Sequence, residues 1–86
     1  MSNRLDKDTK IFSTSDLALA GALVAWNNKI IAINKVDQKR SIFLFEDTPE
    51  LQSYIKAYWD ESEKILPKRY FYALKDLKSQ IYSEGR

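Results

Sequence analysis

The chain is organised around the stretch Leu17-Ala-Leu-Ala-Gly-Ala-Leu-Val-Ala-Trp26, which carries no polar side chain over ten residues. It follows Ser13-Thr14-Ser15-Asp16, in which a hydroxyl N-cap and an acid three residues later predict a helix start. A helix that is apolar on every side must be covered by other elements. Ten residues are also too few to span a bilayer, which takes about 20. The stretch therefore predicts a buried first helix at the centre of a small domain.

At about 100° per residue, the two sides of this helix differ in size. The large residues Leu19, Leu23 and Trp26 lie opposite the small residues Ala18, Gly21, Ala22 and Ala25. Glycine costs about 1 kcal/mol relative to alanine inside a helix, so Gly21 predicts a close approach by another element. That element is either a neighbour within the chain or a symmetry mate in a dimer.

The composition narrows the chemistry that the chain can perform. It has 86 residues, a net charge of +2, no cysteine, no histidine and only two glycines. These absences exclude Cys-based zinc sites, Cys or His nucleophiles, imidazole bases and glycine-rich phosphate loops. The length predicts a single domain, with a flexible polar tail at residues 1–10, a compact domain at 11–83 and a frayed end at 84–86. No targeting signal is recognisable, so we expect a cytoplasmic protein.

Two groups of acidic residues are the remaining candidates for carboxylate catalysis or metal binding. They are Glu46, Asp47 and Glu50, and Asp60, Glu61 and Glu63. A hard cation needs several oxygens that converge from a fixed loop, and neither group has the alternating spacing that provides this. We interpret them as a helix start and a solvated helix end. We therefore predict no enzyme activity, no cofactor and no metal.

A β-hairpin is predicted after the first helix. Asn27-Asn28 should end that helix, because asparagine tolerates the left-handed cap conformation. Residues 29–36 and 41–46 are rich in strand formers, and the polar residues 37–40 between them favour a four- or five-residue loop. Phe43 and Phe45 point to one face, and Ile42 and Leu44 to the other. A lone hairpin is marginally stable, so this one needs helices, a third strand or a partner's strand. Ile11 and Phe12, before the first helix, are also predicted to add one short strand.

Two further helices are predicted to complete an α+β domain in the order helix–β-hairpin–helix–helix. Asp47-Thr48-Pro49-Glu50 is typical of a helix start. The apolar stripe that follows consists of Leu51, Tyr54, Ile55, Tyr58 and Trp59. After Pro67, the inner face of the last helix consists of Tyr70, Leu74, Leu77 and Ile81. We expect Ile65 and Leu66 in the connection to enter the core. Trp59 and Ile55 are also predicted to be core residues, together with Phe43, Phe45 and Leu51.

Four segments of the chain together resemble a known family. They are Phe12-Ser-Thr-Ser-Asp-Leu-Ala-Leu-Ala20, Phe43-Leu-Phe-Glu-Asp-Thr-Pro-Glu-Leu51, Ala57-Tyr-Trp59 and residues 70–82. In this order they resemble a family of small bacterial and mobile-element proteins that is catalogued only as a domain of unknown function. The resemblance covers roughly residues 11 to 83 and implies a compact stand-alone domain. It supplies no activity, substrate or binding residue.

Two functions remain after these exclusions. The first is a non-catalytic protein-interaction module that self-associates through Ile42 and Leu44 or regulates a larger partner. The second is a nucleic-acid-binding accessory protein, in which lysines neutralise phosphates and a tyrosine stacks on a base. Its candidate residues, which would equally bind an acidic partner, lie at the hairpin tip and on the outer face of the last helix: Lys35, Lys39, Arg40, Lys68, Tyr72 and Lys75. Neither function involves a membrane or a metal.

Overall fold

The computed structural model describes residues 10–84, with side chains described up to residue 82. The predicted tail therefore lies outside the described residues except for Lys10, as do the last two residues of the predicted frayed end. The described chain forms three helices and a three-stranded antiparallel sheet, a small compact α+β domain. The elements in chain order are β1 (Ile11–Thr14), α1 (Leu17–Ala25), β2 (Ile30–Lys35), β3 (Ser41–Glu46), α2 (Pro49–Asp60) and α3 (Pro67–Glu84).

The sheet has the order β1-β3-β2, so the last strand in sequence is the central one. The predicted hairpin is present as β2 and β3, joined by five residues in which the amide of Val36 donates to the carbonyl of Arg40 at 3.0 Å. A third strand accompanies it, because β1 pairs with β3 in a register that sets Phe12 opposite Phe45. The predicted order, which began with a helix, therefore gains a strand before its first element. Two edge strands now flank β3 and satisfy its backbone on both sides.

Helix α1 begins with a different cap from the predicted one. The N-cap is Asp16, whose carboxylate accepts hydrogen bonds from the amides of Ala18 at 3.0 Å and Leu19 at 3.2 Å. The hydroxyl of Thr14 instead accepts from the amide of Asp16 at 3.1 Å. At the other end Asn27 adopts the predicted left-handed conformation, with φ at 73°. The cap motif thus begins about three residues later than the hydroxyl pattern indicated.

The small side of α1 packs against α3 of the same chain. A Cβ atom added to Gly21 would lie 2.6 Å from Cδ2 of Leu74, which is closer than two carbon atoms can approach. Nearby, the hydroxyl of Tyr70 lies 3.3 Å from the carbonyl of Ala18, to which it donates a hydrogen bond. Of the two elements proposed to approach Gly21, the intramolecular neighbour is therefore the one observed. Along α1, residues 19–23 and Ala25 are buried, whereas Leu17, Ala18 and Val24 keep part of their surface accessible.

The core lies between one face of the sheet and the helices. Its buried members come from four elements: Leu19, Ala20, Leu23, Phe43, Phe45, Leu51 and Leu77. Of these, Phe43, Phe45 and Leu51 are core residues that the sequence predicts. Ile55 packs against this cluster while remaining partly exposed. Of the α3 residues predicted to face inward, Leu77 is fully buried, and Tyr70, Leu74 and Ile81 are partly buried.

Two predicted core residues are exposed instead. Trp59 has 63% of its surface accessible and Leu66 has 66%. On α2 the buried residues are Leu51 and Ala57, so the buried arc is centred near Tyr54. At 100° per residue Trp59 lies roughly 140° from that centre, and its ring instead packs edge-on against Tyr58. The large residues alone predict a buried stripe whose centre lies too far from Ala57, a small residue that is in fact buried.

The N-cap of α2 is Thr48, which belongs to the predicted helix-start motif Asp47-Thr48-Pro49-Glu50. Its hydroxyl accepts a hydrogen bond from the amide of Leu51 at 3.0 Å, and Pro49 opens the helix. The carboxylate of Asp47 instead accepts from the side-chain amide of Gln52 at 2.9 Å. The helix ends at Asp60, as predicted, and is followed by Glu61 in the left-handed conformation.

Candidate interaction surfaces

The face of the sheet opposite the core carries apolar side chains from all three strands. Because Ser41, Phe43 and Phe45 are buried, Ile42 and Leu44 of the central strand point the other way. The strand register adds Ile11 and Ser13 from β1 and Ala32 and Asn34 from β2 to the same side. Glu46, at the end of β3 and opposite Ile11, also faces this way. We call these seven residues the outer sheet face. It is the part of the fold that gathers the residues predicted for self-association.

The outer sheet face is accessible, although its centre belongs to the middle strand. Ile42 and Leu44 are partly exposed, as is Ala32, and Ile11 has 44% of its surface accessible. The helices contribute Leu19, Leu51 and Leu77 to the cluster around the phenylalanines, which is on the opposite side. A single sheet with helices packed on one face leaves the other face to solvent or to a partner.

The hairpin tip lies beside the second half of α3. Lys39 and Arg40 line a small open cavity together with Lys78, Ile81 and Tyr82. Lys35 is also exposed, but it does not line that cavity. The residues at this junction that the sequence analysis missed are Lys78 and Tyr82. Their spacing could have indicated them, because i, i+4, i+7 and i+11 positions lie on one stripe of a helix. On α3 this stripe consists of Phe71, Lys75, Lys78 and Tyr82.

The other predicted nucleic-acid residues lie elsewhere on α3. Tyr72 and Lys75 line an open groove between α3 and the end of α1, where Val24 is also accessible. The ammonium of Lys75 lies 5.8 Å from the centre of the Phe71 ring, within the range of a cation–π contact. Lys68 is exposed near the start of the helix and lines neither cavity. The six predicted basic and aromatic residues therefore do not form one site but are divided along the molecule.

Among the residues that the structure describes, two ionisable groups have clearly shifted pKa values. The hydrogen bond from Lys56 to Asp60, at 2.7 Å, raises the pKa of Lys56, and the charge of Asp60 adds to the effect. Burial raises the pKa of Tyr58, and Asp16 and Tyr70 raise it further. Both shifts raise a pKa that already lies well above 7, so neither prepares a general acid or base for work near pH 7. Among the described residues, no group of three or more acids could hold a metal ion. No helix in that part of the chain is long and apolar enough to cross a membrane.

Comparison with known proteins identifies the family of this chain. Residues 9–83 match the family model described as "Domain of unknown function (DUF5659)". This match spans most of the 86 residues, so the chain belongs to that family. The resemblance to a domain of unknown function is thereby confirmed, and its bacterial and mobile-element origin stays a prediction. Neither the curated proteins nor the solved structures include a significant match to the chain.

Proposed function

We propose that this member of the DUF5659 family is a non-catalytic protein-interaction module that self-associates through its outer sheet face. The observation that carries the proposal is the position of Ile42 and Leu44. They lie at the centre of a three-stranded sheet, on the side away from the helices, and remain partly accessible. Accessible apolar side chains grouped at the centre of a sheet face are suited to a protein interface. Two copies related by a two-fold axis would bring the same residues into contact on both sides.

The size of the outer sheet face sets the expected strength of the association. Strands of six residues are about 20 Å long, and three strands are about 14 Å wide, so the face measures roughly 280 Å² in projection. Stable complexes bury about 800 Å² per partner. We therefore expect a weak, rapidly exchanging dimer, or a larger partner that also contacts the sheet edges. Helix α1 packs on the opposite side of the sheet, so this association would leave its accessible Ala18 and Val24 uncovered.

Sedimentation velocity over a concentration series tests this proposal. We expect the mean mass to rise above that of the 10.1 kDa monomer as the concentration increases. The double substitution Ile42→Thr/Leu44→Thr should abolish the rise, because it makes the face polar while keeping strand-forming residues. Leu66→Thr is the matched control, since Leu66 is 66% exposed on a different part of the molecule. A strictly monomeric wild-type protein, or equal effects of both changes, would contradict the proposal.

Nucleic-acid binding is the second candidate, and one observation favours it. Lys39 and Arg40 of the hairpin tip lie beside Lys78 and Tyr82 of α3, with Tyr82 69% exposed. Cations that surround an accessible ring are suited to a single strand, whose phosphates and bases they contact separately. If these residues bind nucleic acid, affinity should fall with salt with a log–log slope of about 0.7 to 0.9 per phosphate contact.

Matched substitutions distinguish the two basic regions. Lys78→Ala should reduce the log–log slope of affinity against salt by the amount expected for roughly one phosphate contact. Lys64 is another exposed lysine, and Lys64→Ala should leave the slope unchanged. Tyr82→Ala should weaken single-strand binding by about 1–3 kcal/mol through lost stacking. The same loss from Tyr72→Ala, with none from Tyr82→Ala, would move the interface to the groove formed with α1.

A cytoplasmic location stays a prediction, which cell fractionation would test.

A further inference from the structure

A cavity on the helical side of the molecule combines aromatic walls with acidic residues. It lies where α2 connects to α3, is open to solvent, has a volume of about 270 Å³ and is lined by the aromatic residues Trp26, Tyr58 and Tyr70. The three rings are each partly exposed, so they are accessible from solvent. Glu61 and Glu63 line the same cavity and are exposed. This cavity is distinct from the outer sheet face and from the cavity between the hairpin tip and α3.

The indole of Trp26 is held in position by two contacts. Its ring stacks on Tyr54 with the centres 5.1 Å apart and an interplanar angle of 21°. Its Nε1–H donates to the backbone carbonyl of Lys64 at 3.1 Å, which ties the α2–α3 connection to the end of α1. The hydroxyl of Tyr70 is likewise bonded to the carbonyl of Ala18. Two of the three rings are thus oriented before any ligand arrives, which reduces the entropy lost on binding.

The charge of the cavity selects a cation. Its ionisable lining residues are Glu61 and Glu63, besides the two tyrosines, and no lysine or arginine lines it among the described residues. Neither carboxylate forms an ion pair within the described part of the chain. Aromatic rings attract cations through their negative faces, and carboxylates at the opening add to that attraction. The cavity is therefore locally acidic and aromatic although the whole chain carries a charge of +2.

We infer that this cavity binds a quaternary ammonium group. An ammonium with hydrogens, or a guanidinium, could donate to Glu61 and Glu63 at the opening, but its remaining N–H groups would face ring walls that supply no strong acceptor. A quaternary ammonium has no N–H, and its methyl groups bury apolar surface against the rings. The volume is slightly below that of pockets for drug-sized ligands, which suits a head group better than a complete cofactor. The group could belong to a choline-like small molecule or to a trimethylated lysine of a partner.

Titration with choline, monitored by NMR, tests the inference directly. The chain has two tryptophans, so Trp59→Phe leaves Trp26 with the single indole N–H resonance. Choline should shift this resonance with a dissociation constant on the order of 1–10 mM, as expected for a small head group. Its uncharged isostere 3,3-dimethyl-1-butanol should bind at least tenfold more weakly. Equal binding of the two, or no shift at about 100 mM choline, would overturn the inference.

Charge-neutralising variants provide a second, independent readout. Glu61→Gln and Glu63→Gln should each weaken choline binding by roughly 1.5- to 5-fold, which corresponds to an exposed ion pair. Glu50→Gln, an exposed acid in the first turn of α2, is the matched control and should change nothing. Unaltered affinity in both cavity variants would contradict the inference. A trimethyllysine peptide that binds at least tenfold more tightly than choline would assign the group to a partner protein, and equal affinity would assign it to a small molecule.

Discussion

The close packing of α1 on α3 makes a quantitative prediction at Gly21. Replacing this glycine by alanine should stabilise an unobstructed helix by about 1 kcal/mol. Here the new methyl group would lie 2.6 Å from Cδ2 and 3.2 Å from Cγ of Leu74, so the end of the leucine side chain must move. Overpacking of this kind costs typically 1–3 kcal/mol. We therefore expect Gly21→Ala to lower the free energy of unfolding by roughly 0–2 kcal/mol.

A double-mutant cycle isolates this contact. In a Leu74→Ala background the obstructing atoms are absent, and Gly21→Ala should then stabilise the fold by up to about 1 kcal/mol. The change in the free energy of unfolding caused by Gly21→Ala should thus differ between the two backgrounds by about 1–3 kcal/mol. Urea unfolding with unchanged m-values gives both numbers. Equal stabilisation by Gly21→Ala in both backgrounds would refute the close approach of the two helices.

Three further predictions concern the core, the caps and pH. Phe45→Ala should lower the free energy of unfolding by about 3–5 kcal/mol, whereas Trp59→Ala should lower it by under about 1 kcal/mol because Trp59 is 63% exposed. Thermal melts separate the two effects. A large effect of Trp59→Ala would mean that α2 is rotated differently about its axis. Thr48→Ala should destabilise by about 1 kcal/mol and Asp47→Ala by less, as measured by urea unfolding, and the reverse order would reassign the cap. The pKa of Tyr58 is raised above its ordinary value of 10.0, so its contribution to stability is fully present below pH 10 and is lost as the pH rises through the higher folded value. Tyr58→Phe should flatten the fall of melting temperature in this alkaline range, and an unchanged slope would count against the burial of the hydroxyl.

Local chemistry allowed several elements to be predicted from sequence. Thr48 before a proline, Asn27 after an apolar run, and alternation around Phe43 and Phe45 each reflect an interaction with near neighbours in the chain. Such signals do not depend on how distant elements pack. The glycine of α1 belongs in the same group, since its cost inside a helix already indicated a close neighbour.

The features that were missed depend on tertiary packing. The direction of the buried arc of α2 depends on Ala57, a small residue whose burial is decided by how α2 packs in the folded domain. A short strand at Ile11-Phe12 was predicted, but its extension to Thr14 and its pairing with β3 join segments that are far apart in sequence. The same holds for the hairpin tip beside Lys78 and Tyr82. Spacing along one helix could indicate a basic and aromatic stripe, but not the loop that lies beside it.

The identity of the interaction surface can be measured residue by residue. Backbone amide shifts recorded over a dilution series, up to about 1 mM to detect weak association, should change with concentration around Ile42 and Leu44 and in the adjacent residues Ile11 and Ala32. Amides near Val24, in the groove between α1 and α3, should not change. Concentration-dependent shifts confined to the groove, or their absence throughout the outer sheet face, would contradict self-association through the sheet.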